Sequence, residues 1–162
     1  MRKLGVLFVL VVLPLALTGT AVANTTNTTV FGVHETETFG YATSACGFQV
    51  DIRTDGTVRE TDYLNECGAL VKVIFTNVDG PMTLVATNPA TGKSSTSTGG
   101  FSETITFDAD GTLTSDVLHG VIWDFRAPGG GALLQWIGNV DFSAFDSNPK
   151  NTAEFCDFLA GP

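Results

Sequence analysis

From about residue 46 to 146 the apolar positions recur mostly in twos. Phe48, Val50 and Ile52 alternate with Gln49, Asp51 and Arg53. That is the signature of a strand with one wet and one dry face, because successive side chains of an extended backbone point to opposite sides. Asp55-Gly56 follows, and Gly accepts the positive φ of a tight turn while Asp tolerates it. The pattern therefore predicts a hairpin whose second arm is Thr57 to Leu64. Leu70 to Thr76 is more continuously apolar and suits a central strand. Asp79-Gly80, the stretch Asn88-Pro89-Ala90-Thr91-Gly92 and Asp110-Gly111 predict further turns. They separate strands at Met82 to Thr87, Phe101 to Phe107, Thr112 to Leu118, Val121 to Phe125, Ala132 to Ile137 and Val140 to Phe145. About eight or nine short strands joined this way predict an all-β fold, an antiparallel meander forming a β-barrel or a two-sheet sandwich. Hairpin succession favours the barrel.

The two ends break the period. Asn151 can cap a helix, with Glu154 placed to reach back as in a capping box. Phe155, Cys156 and Leu159 then fall on one side before Gly161 and Pro162, which predicts a C-terminal helix at about 151–160. Such a helix is too short to stand alone and must dock on the sheet. At the other end, Arg2 and Lys3 precede an apolar run from Gly5 to Leu17, and Ala21-Val22-Ala23 offers a small-residue cleavage site. This three-part pattern predicts a signal peptide at 1–23, the run being shorter than a membrane span needs. Residues 24–45 open with Asn24-Thr25-Thr26-Asn27-Thr28-Thr29 and read as a flexible lead-in. One β-rich domain is expected over 46–162.

Composition narrows the partners. A cut after Ala23 removes Arg2 and Lys3, leaving six Lys and Arg against 17 Asp and Glu, a net charge of about −11. Nucleic acid and anionic membrane surfaces both require clustered cations, so neither is expected as a partner. Stable membrane insertion is not expected either. With two His and three Cys, neither a metal centre nor a cofactor is predicted.

The cysteines carry more information. In an exported chain a disulfide is the default. The predicted Asp55-Gly56 hairpin would bring Cys46 near Asn65, which makes Cys46–Cys67 geometrically open. Joining Cys46 to Cys156 closes a loop of about 110 residues, for which chain entropy gives almost 5 kcal/mol against roughly 3 for the short loop. It would also anchor a helix unable to hold itself, and this pairing is favoured. The third thiol is then buried and free, or intermolecularly bonded. Cys46-Gly47-Phe48, Thr76-Asn77, Thr91-Gly92-Lys93-Ser94, Asp110-Gly111-Thr112 and Phe155-Cys156-Asp157-Phe158-Leu159 together resemble a group of small secreted, β-rich actinobacterial proteins of unknown function. The resemblance implies export, a β-rich body and a Cys at each end of it. It implies no activity.

Catalytic motifs are sparse. Gly92-Lys93-Ser94 imitates the end of a phosphate-binding loop, but Thr87 stands where the leading Gly belongs. Asp108-Ala109-Asp110-Gly111 imitates the start of a calcium loop, but Leu113 and His119 occupy the later Gly and Glu positions. His119 could act as a base with Asp116 or Asp124 orienting it and Ser115 as nucleophile. No nucleophile elbow accompanies it. Glu103 lies between Phe101 and Ile105 on the apolar side of its strand. A carboxyl there has a raised pKa or a partner, for which Arg126 is the candidate.

Three functions remain in play. The first is a secreted, non-enzymatic protein binding an envelope or extracellular macromolecule through its surface. The second is a barrel holding a small apolar ligand against Glu103, Trp123 and Trp136. The third, a hydrolase built on His119, has the least support.

Overall fold

The computed structural model of the chain describes residues 25–141 and 149–161. The expected signal peptide at 1–23 and the last part of the strand expected at Val140 to Phe145 lie outside the described residues. The elements run β1 (Thr25–Thr38), α1 (Gly40–Cys46), β2 (Asp51–Leu64), β3 (Leu70–Thr87), β4 (Ser94–Gly99), β5 (Phe101–Phe107), β6 (Leu113–Arg126), β7 (Ala132–Asp141) and α2 (Thr152–Ala160). All pairings between the strands are antiparallel. β3 pairs with β2 along one edge. Its other edge is shared, β5 taking Lys72 to Thr76 and β4 taking Met82 to Thr87. β4 and β5 are thus one antiparallel run broken at Gly100, and β6 lies along both. Spatial order follows chain order, so the fold is the expected all-β meander with a C-terminal helix. The described strands form one sheet, not two, and among the described residues no pairing joins β1 to β7.

The strands are fewer and longer than the turn dipeptides predict. Asp55-Gly56 does not reverse the chain. It lies inside β2, where Asp55 bonds to Arg53 Nε at 2.8 Å and His34 Nδ1 at 3.2 Å. Gly56 serves a close approach instead: a Cβ there would lie 2.8 Å from Cγ of Met82, across the bulged register between Asp55 and Thr57. Asp79 and Gly80 do take positive φ, 63° and 114°, but they form an excursion within β3. Two short strands become one because β2 pairs with both arms. Asp108 to Thr112 and Asn88 to Lys93 are reversals, each closed by its own backbone hydrogen bonds.

The segment 24–45 is not a flexible lead-in over its described part. Thr25–Thr38 pairs residue for residue with β2. The physical reason is legible afterwards: β-branched Thr and Val favour extended backbone, and Phe31 sits opposite the buried Val58. Phe39 and Ala42 are buried as the chain turns through α1.

The helices close one end of the sheet. Phe39 and Ala42 from the α1 region, and Phe155 and Leu159 from α2, pack with Val50, Ile52, Ala86, Phe125, Leu133 and Leu134. Phe125 and Phe155 rings lie 5.3 Å apart. Cys46 and Cys156 form the favoured disulfide, with Cα atoms 5.1 Å apart. The alternative with Cys67 depended on the absent hairpin; Cys67 sits free and exposed, not buried, in the turn between β2 and β3. The capping box is not formed. Asn151 adopts a left-handed conformation with φ of 63° and makes no side-chain cap bond. The start of α2 is instead tied to α1 through side chains: the Tyr41 hydroxyl meets Thr152 Oγ1 at 2.9 Å. At the other end of α2, Asn88 Nδ2 and Thr91 Oγ1 donate to the Leu159 carbonyl at 3.1 and 2.8 Å. Those bonds satisfy a carbonyl that the helix terminus itself leaves open.

Candidate functional site

Directly opposite residues in an antiparallel sheet share a face. The register therefore writes out the inner face, the one on which the helices pack. One row runs Thr29, Glu60, Phe75, Glu103, Leu118, Val140 across β1, β2, β3, β5, β6 and β7. The adjacent row runs Asn27, Asp62, Val73, Ile105, Asp116. At the helix-covered end this face is apolar apart from the buried hydroxyls of Ser95 and Ser97 on β4. Toward the opposite end it carries four carboxyls set among Val73, Phe75, Ile105 and Leu118.

Glu103, Trp123 and Trp136 do share this face. Trp136 packs with Leu118, Ile122 and Val140, and Trp123 and Phe101 lie against the same cluster. The register shift between Val121 and Trp123 makes this possible: the extra residue puts Ile122 and Trp123 on the same side as Leu118. The indoles of Trp123 and Trp136 lie 4.7 Å apart, and Phe39 meets Trp123 edge-on at 4.8 Å. Tyr41 closes a further side of Trp123 at 5.4 Å. Both indoles are thus engaged by neighbouring rings.

Glu103 has a different partner from the one expected. Arg126 alternates to the other face and pairs with Asp124 at 2.6 Å. Glu103 instead meets Asp116 on β6. Burial first, then the negative charge of Asp116 and the hydrogen bond to it, push the Glu103 carboxyl up to about 7. Burial also raises Asp116, with Asp141 adding to the rise and the bond from Glu103 opposing it. A hydrogen bond between the two carboxyls requires that one of them keep its proton, so the pair carries a single negative charge while the bond persists. Glu60 is raised in the same manner, by burial and then by the charge and hydrogen bond of Asp62. One oxygen each of Asp62 and Asp116 is shut off from solvent without a hydrogen-bond partner among the described residues. Among the described residues no strand Lys or Arg relieves this face: Arg53, Arg59, Lys72 and Arg126 all alternate outward. Lys72 lies 3.9 Å over the Tyr63 ring there.

His119 is exposed on the outer face and donates from Nδ1 to Asn139 Oδ1 at 2.7 Å. Asp116 points to the opposite face, and Asp124 is held by Arg126 and Gln135. Ser115 lies four residues along the strand, roughly 13 Å away at strand rise. The residues expected for hydrolysis are not brought together. The carboxylate of Asp108 caps its own turn, accepting from the Asp110 and Thr112 amides at 2.9 Å each.

Glu60 and Asp62 were not singled out in the sequence. Their signal was the period shared with Ile52 and Val58, obscured once Asp55-Gly56 is read as a reversal. The chain matches no family model, no curated protein and no solved structure.

Proposed function

We propose that this is an exported, non-enzymatic protein that binds a macromolecule of the extracellular or envelope space through its surface, with the outward edge of β1 as the contact. The supporting observation is the character of that edge. β1 is 14 residues long, and among the described residues its strand partner lies on one side only. From Thr26 to Val33 it carries no Lys, Pro or acidic residue, the devices by which proteins blunt a free edge. Val30 is 53% exposed along it. Alternate backbone N–H and C=O groups of such an edge can accept an extended partner segment as an added strand. The Cys46–Cys156 disulfide is compatible with an oxidising compartment, and the N-terminal pattern of charge and apolar run supports export.

Amide hydrogen exchange on β1 tests the reading, using protein alone and mixed with the envelope fraction of its own cells. Outward-facing amides between Thr26 and Val33 are expected to slow at least tenfold, and Val30→Lys to abolish the effect without altering the fold. Unchanged exchange in β1 would refute it. A second reading, carriage of a small apolar ligand, draws support from the face shared by Glu103, Trp123 and Trp136. It predicts a change in indole fluorescence on adding an anilinonaphthalene probe, which the edge reading does not.

A further inference from the structure

We infer that the acidic end of the inner face is a proton-operated latch: the Glu103–Asp116 pair ties β5 to β6 there while it shares a proton, and its ionisation loosens that end locally.

The argument starts from the bond itself. Two carboxyls can hydrogen-bond only if one keeps its proton; two carboxylates repel. Glu103 stands on β5 and Asp116 on β6, so their shared proton joins two strands. Glu60 and Asp62 stand two apart on β2 and face the same side. From β3 the uncharged Phe75, Val73 and, diagonally, Asn77 face them, and from β1 Thr29 and Asn27. Leu118 and Val140 face Glu103 from β6 and β7, and Asp141 adds a further negative charge near Asp116. Among the described residues no Lys, Arg or His faces the cluster from any of these strands. Burial further disfavours ionisation of Glu103 and Asp116, and one oxygen of Asp116 lacks any described partner.

The other end of the sheet is built to stay shut. There the disulfide, α1, α2 and a core with no carboxyl or imidazole among its described members hold the strands. Ionisation therefore acts on one end only.

The sign follows from linkage. A carboxyl raised in the folded protein binds more proton folded than unfolded, so closure is complete below the unfolded value and is lost as pH rises through the folded one. For Glu103 that window runs from 4.5 to about 7. Each pH unit within it multiplies the opening constant about tenfold, roughly 300-fold over the whole window.

Native-state amide exchange, corrected for intrinsic pH dependence, reads this directly. Between pH 4.5 and 8 the opening constants of 103–106 and 115–118 are expected to rise by about two orders of magnitude. Those of 133–135 and 155–159 should stay level. Glu103→Gln keeps a donor for Asp116 at every pH and should flatten most of the response. No rise, an equal rise at both ends, or a full response in Glu103→Gln would each overturn the latch. Should that variant fail to fold, carbon-13 titration of the wild-type Glu103 carboxyl decides: a midpoint near 7 supports the latch, and one near 4.5 overturns it.

Discussion

Removing the Cys46–Cys156 disulfide should cost this protein a large share of its stability. The perturbation is the double replacement Cys46→Ser and Cys156→Ser, made with Cys67→Ser so that the exposed third thiol cannot exchange. The bridge spans 110 residues of sequence, and the entropy of closing such a loop in the unfolded chain amounts to about 4.8 kcal/mol. Domains of this size are typically stable by about 5–15 kcal/mol in total. The helix it holds is nine residues long, too short to persist unaided. What then remains for α2 is the burial of Phe155 and Leu159, the two bonds to the Leu159 carbonyl and the Tyr41–Thr152 hydrogen bond. Urea unfolding followed by fluorescence is the assay, since Trp123 and Trp136 both lie beside the packed end. With a urea slope of about 2 kcal/mol per molar, the midpoint should fall by about 2.4 M. Amide protection in α2 should fall further than in β3. A midpoint shift below about 0.5 M, with α2 still protected, would show that packing rather than the covalent bond retains the helix.

Two other substitutions probe the joints of the fold. Gly120→Ala places a Cβ against the Gly100 carbonyl at a φ of 120°, so a loss of more than about 2 kcal/mol is expected by chemical denaturation. Asn88→Ala removes the buried donor to the Leu159 carbonyl and should cost about 1–3 kcal/mol, measured the same way, with faster exchange at the C-terminus of α2.

Much of the architecture was decided locally, and so the sequence alone determined it. Period-two alternation over Phe101–Phe107 requires a strand, because an extended backbone puts every second side chain on one face, and β5 spans those residues; of the similar run Phe48–Ile52 only the last two residues enter β2. Asp108–Thr112 requires a turn, because the Asp108 carboxylate reaches the amides two and four residues on. The tail is helical through its own apolar spacing, and loop length together with that helix's need of an anchor singled out Cys46–Cys156.

Tertiary structure decided whatever depends on the strand opposite. Asp55-Gly56 has the chemistry of a reversal, yet Met82 across the sheet takes up the space above Gly56 and β2 runs straight past. The Thr-rich stretch after residue 24 looks soluble and featureless until β2 offers it a continuous partner. Glu103 reads as an apolar-face carboxyl from its own strand, but its partner is set by register, which brings Asp116 to it and sends Arg126 to the other side. Register joins residues far apart in sequence, and a one-residue slip exchanges the two faces. No local pattern can therefore name the group across the sheet, and it is that group which determines whether a carboxyl keeps its proton.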